Sequence, residues 1–253
     1  MYLCHQFLTE ISVSILIMNL MKRTAFYTSN MKMADLINAD YKLLLLLPRF
    51  DIELGFGDQT VQKSCEEHGI SPDFFLMICN IYSFDDYLPE KKEIRTLDVH
   101  QLIAYLKKSH QYYLDNRLNG ISKQMHSIIE QSETKHGNIL TRFFEEYKKE
   151  VVNHFQYEEE TVFPYILGIA DGEKSAGYQI EMFEENHTNI EDKLNDLKNI
   201  LIKYLPEKTS SEKRINLLFN LFDFEVDLDK HTLLEDLVLV PKVHIMEKHY
   251  ESK

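Results

Sequence analysis

The sequence predicts an all-α protein: an up-down-up-down four-helix bundle preceded by a small helical domain. Three observations predict it. With 8 Gly and 6 Pro in 253 residues, the chain has too few backbone breakers for a turn-rich β-protein. From Asp98 onward, apolar residues recur at helical spacing in four long runs. Those runs are separated by short polar or Gly- and Pro-bearing stretches at residues 132–134, 168–172 and 205–211, as befits antiparallel neighbours in a bundle.

Taken in order, residues 1–30 read as an extension of no assigned role. The apolar run at 11–21 is too short to cross a bilayer, and it has the wrong polarity for a signal peptide, with Glu10 before it and Lys22 and Arg23 after it. Met18, Met21 and Met31 are alternative starts. Residues 31–90 read as a small helical domain. A helical stripe from Met33 to Leu47 is expected to stop at Pro48, and 55–58 reads as a turn. Residues 60–68 read as a short helix closed by Gly69, and Ser71-Pro72 supplies an N-cap and a first-turn proline. Residues 85–95 read as a linker. The bundle spans 98–249. Its first helix is capped by Asp98 and runs to about Gln131, and the second runs from the 132–134 break to about Leu167. The third runs from about Ser175 to Tyr204, and the fourth starts near Glu212. Pro164 and Pro241 are expected to kink or end their helices. Phe143, Phe144, Leu218 and Phe222 are expected to wall the interior.

Composition narrows the function. Hydrophobic residues at 44% and charged residues at 27% are ordinary for a soluble globular protein. A formal charge of −13 disfavours nucleic acid and anionic membranes as partners. Three cysteines without Cys-x-x-Cys spacing fit a reducing, cytoplasmic setting.

Chemistry concentrates in two stretches that read alike. His154 is followed by Glu158 and, six residues on, Pro164; His231 is followed by Glu235 and, six residues on, Pro241. Four-residue spacing on a helix aims each imidazole and carboxylate the same way. His110, His154, His187 and His231 fall one on each predicted helix, 44, 33 and 44 residues apart. The midpoints of those intervals fall in the three predicted turns, so all four imidazoles sit level, roughly 33 Å from one end and 25 Å from the other. Four imidazoles and two carboxylates are costly to bury without a cation. Nitrogen and oxygen donors from facing helices are how a bundle builds a metal site, and this set suits iron, with zinc or manganese also compatible. Six ligands from a doubled motif point to two metals.

Residues 98–249 thus resemble the hemerythrin-like bundle, and the doubled His-x-x-x-Glu is similar to the variant of the repair-of-iron-centres (RIC) family. The tail Glu158, Glu159, Phe163, Pro164 strengthens the likeness. The resemblance implies a non-haem di-iron centre, oxo- and carboxylate-bridged, with His110, His154, Glu158, His187, His231 and Glu235 as ligands and the two Glu as bridges. It implies a role in repairing iron–sulfur clusters damaged by nitrosative or oxidative stress. The partners would be nitric oxide or oxygen and iron–sulfur client proteins. The alternative is an oxygen or nitric oxide sensor or store without turnover. Oxygen-carrying hemerythrins have a His where this chain has Glu191, and end on an Asp at the spacing of Asp236; the internal repeat favours Glu235. Residues 33–82 resemble the small domain that often precedes the RIC bundle, through Thr60-Val61, Cys65 and Gly69. Gly55-Phe56 stands where that family usually has two adjacent cysteines.

Other candidates have plainer readings. His5, His68, His100, His126, His244 and His249 read as surface or satisfied core residues. Glu133-x-x-His136 and Glu184-x-x-His187 have a carboxylate-bridged spacing but no level partner. Tyr113 reads as core packing before metal neighbour, Phe155 and Tyr157 as packing, and Cys65 and Cys79 as buried. Glu159, Glu160, Glu184 and Glu185 read as a solvated acidic face that also attracts cations.

Overall fold

The computed structural model describes residues 26–130, 134–173, 177–186, 191–203 and 210–251. Most of the N-terminal extension therefore lies outside the described residues. Its last five residues pack on the small domain: the Tyr27 amide donates to Asn80 Oδ1 at 3.0 Å, and the Phe26 ring lies edge-on to Phe84 and Tyr87.

The stripe at 33–47 does not form one helix. Helix α1 (Met33–Ala39) gives way at Asp40, whose backbone is extended and whose carboxylate accepts the Lys42 amide, opening a 3₁₀ helix, Tyr41–Leu45. This side-chain-to-backbone bond competes with helix continuation, as is usual for Asp. Pro48 sits inside a second 3₁₀ helix, Leu47–Phe50, near its start, where a missing N–H costs nothing. Helix α2 (Val61–Glu67) is capped by the Thr60 hydroxyl and followed by Gly69 at φ +68°. Helix α3 (Pro72–Ser83) is capped by Ser71 and buried almost all round. The expected linker at 85–95 contains the start of a helix, α4 (Lys91–Thr96), opened by a reciprocal capping box between Glu90 and Glu93.

Four rods follow. The first is α5 (Val99–Tyr112), a π turn π1 (Tyr113–Leu118) and α6 (Asn119–Ile129), with Asp98 capping as expected. The second is α7 (Thr134–Tyr157), π2 (Glu158–Val162) and α8 (Phe163–Ala170). The third comprises α9 (Ile180–Asn186) and α10 (Glu191–Lys203). The fourth is α11 (Ser211–Leu234), π3 (Glu235–Leu239) and α12 (Val240–Glu251). First packs on second and fourth, and third on second and fourth, closing the bundle. The third rod starts at Ile180, later than expected. There the free amide of Ile180 donates to Glu247 Oε1 of the fourth rod at 3.0 Å, so a long-range carboxylate opens the helix.

Neither Pro164 nor Pro241 ends its helix. Each falls at the second position of an α-helical segment entered from a π turn. A helical proline leaves the carbonyl four residues back without a donor and crowds it. One widened turn just before the proline moves that carbonyl aside and lets the rod continue.

One buried core joins the small domain to the near half of the bundle, including Leu36, Phe50, Phe75 and Ile78 with Leu102, Leu106, Ile166 and Leu239. A second fills the far half through Leu118, Ile121, Phe144, Leu197 and Leu221. Of the expected walls, Phe144 is buried, Phe143 and Leu218 are half-buried, and Phe222 faces outward. The fourth rod buries Leu217, Leu221, Phe224 and Leu228 instead, which turns Phe222 to the opposite side.

Candidate metal centre

The candidate donors gather where the two cores meet. His110 closes α5 just before π1, His154 and His231 lie in the last turns of α7 and α11, and Glu158 and Glu235 each open a π turn. One ligand-capable atom from each of His110, Glu158, His231 and Glu235 lies within 4.8 Å of the others, and all four residues are buried. His154 joins them through its Nε2, 3.0 Å from Glu158 Oε1. The repeated pair is reproduced in space, with His231 Nε2 3.1 Å from Glu235 Oε1. Across the bundle, His110 Nε2 lies 3.0 Å from Glu158 Oε2 and 3.2 Å from His231 Nε2. His187 lies outside the described residues, as do Glu133 and the side chain of His136.

Burial choices separate Glu235 from Asp236. Glu235 is fully enclosed with its carboxylate in the cluster, whereas Asp236 faces the exterior.

The electrostatics follow from enclosure. Burial and the neighbouring Glu235 carboxylate push the Glu158 carboxyl up, but hydrogen bonds from His110 and His154 outweigh them and hold it below the usual range. Burial pulls the His110 imidazole down, while hydrogen bonds to Glu158 and Glu159 raise it further, to about 9. Without a cation, a proton on His110 thus neutralises part of the buried carboxylate charge. A metal ion would replace that proton. Buried imidazole nitrogens and carboxylate oxygens converging on one point are the donor set of iron, manganese or zinc, so the residues present fit such an ion.

Three features around the cluster escaped sequence reasoning. Glu159, expected as solvated acidic surface, accepts a 2.9 Å hydrogen bond from His110 Nδ1, a ligand-orienting contact that fixes which nitrogen faces inward. Its position just after Glu158 was a signal available only once the rods were placed side by side. The rings of Phe155 and Phe163 lie nearly parallel to the His110 ring, with centroids at 4.1 and 5.5 Å. Phe155 is therefore more than filler: it fixes the imidazole plane.

The third feature is a buried network one turn before His231. Asp227 Oδ2 accepts from Arg49 Nη2 at 2.6 Å, and both side chains are fully enclosed. Tyr82 and Tyr113 hydroxyls donate to Asp227 Oδ1 at 3.2 Å each, and the Arg49 guanidinium lies 4.9 Å from the Tyr113 ring centre. The Tyr113 hydroxyl thus points at Asp227, while its ring stands edge-on to His231 at 5.5 Å. The small domain, through Arg49, reaches the helix turn that carries a candidate ligand.

Residues 101–243, more than half of the chain, match the hemerythrin HHE cation binding domain. The chain belongs to this hemerythrin family. No curated protein matches it. Its hemerythrin domain is an all-α, metal-binding bundle, and the buried His/Glu cluster is the group of described residues inside it suited to hold the metal. A second, partly exposed group (Glu181, His244, Glu247) lies on the outer surface of the third and fourth rods. Among the described residues no helix is long and apolar enough to cross a membrane.

Proposed function

We propose that this hemerythrin-family chain is a di-iron protein serving the repair of iron–sulfur clusters damaged by nitrosative or oxidative stress. The observation that carries the reading is the doubled His-x-x-x-Glu motif: both copies close on one buried point, with His110 between them. That is the ligand arrangement expected of the RIC variant, with His187 as the sixth donor. Two irons held there would supply one-electron chemistry and an open position for nitric oxide or oxygen.

The protein's own residues do the rest. Glu158 and Glu235 would serve both ions, and His110, His154, His187 and His231 would complete the donor set. Glu159 orients His110, and Phe155 and Phe163 exclude water, which strengthens every charge interaction inside. The small domain's thiols take no part in this scheme. Cys65 is enclosed, and burial pushes its thiol up to about 12, so almost none is thiolate at neutral pH.

Metal analysis and rescue test the proposal together. The purified chain should carry near two irons, and adding it should restore a nitric-oxide-damaged iron–sulfur enzyme. A metal-free full-length protein, or a two-iron protein that restores nothing, overturns the proposal. The enclosure of the site also favours a second reading, reversible binding of oxygen or nitric oxide, because only small ligands reach such a pocket. Reversible ligand spectra without turnover or rescue would select it.

A further inference from the structure

Two helical histidines outside the metal centre show what an imidazole does when its own turn is free. His68 Nδ1 donates to the Ser64 carbonyl at 2.7 Å and His126 Nδ1 to the Ser122 carbonyl at 2.9 Å, each four residues back. The matching carbonyl for His231 is that of Asp227, and it is already full. A carbonyl oxygen has two lone pairs. One takes the His231 amide in the α-helical ladder of α11, and the other takes the Tyr113 hydroxyl at 3.1 Å. His231 Nδ1 is accordingly buried without a hydrogen-bond partner.

His110 is the contrast. Both rings turn Nε2 to the cluster, but the His110 Nδ1 donates to the Glu159 carboxylate at 2.9 Å. An imidazole that binds a metal through Nε2 keeps its one proton on Nδ1. An acceptor for that proton orients the ring and raises its basicity towards the metal, whereas a buried donor without an acceptor is costly to leave unmade. Tyr113 is held where it imposes this difference. It is fully buried on the first rod, with its ring stacked on Phe155 at 5.7 Å and edge-on to His231 at 5.5 Å. The Arg49 guanidinium lies 4.9 Å from the ring centre, and the hydroxyl also donates to Asp227 Oδ1 at 3.2 Å. These contacts keep the hydroxyl on Asp227.

We propose that Tyr113 is a positioning residue that keeps His231 a weaker metal donor than His110: by occupying the Asp227 carbonyl, its hydroxyl denies the His231 Nδ1–H an acceptor. The inference rests on His231 holding a metal and not on the repair role. Zinc is the probe, added to metal-free full-length protein in competition with a chromophoric chelator. His231→Ala should weaken zinc binding. Tyr113→Phe should tighten it about 10-fold, at the low end of what an orienting partner contributes, because the freed carbonyl then accepts the Nδ1–H. A side chain that only packed would, once trimmed, leave binding unchanged or weaken it, and either result overturns the inference. Proton–nitrogen NMR of the zinc-loaded wild-type protein, labelled in histidine, gives a reading that depends on no variant. The Nδ1–H proton of His110, bonded to a carboxylate, should lie well downfield of that of His231; equal positions overturn the inference. If His231→Ala leaves zinc binding unchanged, the metal-centre reading itself fails and takes this inference with it. A normal response to His231→Ala beside an unresponsive Tyr113→Phe fails the inference alone.

Discussion

Removing one partner of the Arg49–Asp227 pair should be among the most damaging single changes outside the metal cluster. Both side chains are fully enclosed, and the pair joins the small domain to the fourth rod. In Asp227→Ala the guanidinium keeps only the Tyr82 and Tyr105 hydroxyls, at 2.7 and 3.4 Å, and the ring faces of Tyr112 and Tyr113. Hydroxyls and rings do not cancel a unit charge in a low-dielectric site. Leaving one charge of a buried pair uncompensated costs about 3–5 kcal/mol. The Tyr113 hydroxyl loses one of its two acceptors but keeps the Asp227 carbonyl at 3.1 Å, so it adds little to that cost. With a urea slope of about 2–3 kcal/mol per molar for a chain of this size, the midpoint should fall by roughly 1–2 M. The double variant Arg49→Met with Asp227→Leu should recover most of that loss, because replacing both charges by apolar groups is often neutral or stabilising. Urea titrations of metal-free protein followed by circular dichroism measure all three. If the double variant is as unstable as the single one, charge compensation is not what the pair supplies and the reasoning fails.

Other predictions are shorter to state. His154→Ala and His231→Ala should each drop bound iron well below two per chain by elemental analysis, while a substitution at exposed His249 should leave it unchanged. The metal-free protein should have a pH optimum set by two groups. His110, raised from 6.5 to about 9, contributes stability that is complete below pH 6.5 and is lost as pH rises through 9. Glu158, held low, contributes stability present above its ordinary value of 4.5 and lost as pH falls through its folded value. Denaturation midpoints should therefore peak between about 4.5 and 6.5; a flat profile would count against the His110–Glu158 contact. Cys65 and Cys79 should stay unmodified by iodoacetamide in the native protein at neutral pH, as mapped by mass spectrometry, and react only in denaturant. Glu159→Ala should weaken iron binding about 10- to 100-fold, with Glu159→Gln less affected because its carbonyl still accepts from His110.

Much of the bundle was written in local pattern: apolar periodicity placed the rods, and the spacing of histidines placed His110, His154 and His231 at one level. The repeat His154–Glu158 and His231–Glu235 carried the donors because four-residue geometry holds in any helix. What stayed hidden is lateral. Arg49 meets Asp227 across 178 positions of chain, and no local signal joins them. Glu159 reaches His110 only because the first and second rods lie side by side. Phe222 was misplaced because α11 has two apolar faces, and periodicity alone does not say which one turns inward. The prolines are expected to kink or end their helices because the rule assumes a uniform α-helix; the widened turns before Pro164 and Pro241 let both rods continue.

Those widened turns let each rod keep two registers. Upstream of π2 the phase is dictated by His154 and Glu158; downstream it is dictated by Phe163 and Ile166, which must land in a different patch of interior. Straightening π2 into ordinary α-helix with every residue kept would swing everything beyond it by about 100°. Phe163 would leave the His110 ring and Tyr165 would lose Glu247, although no donor had been touched. The spare residue acts as a phase shifter between chemistry and packing, and the fourth rod carries its twin at π3.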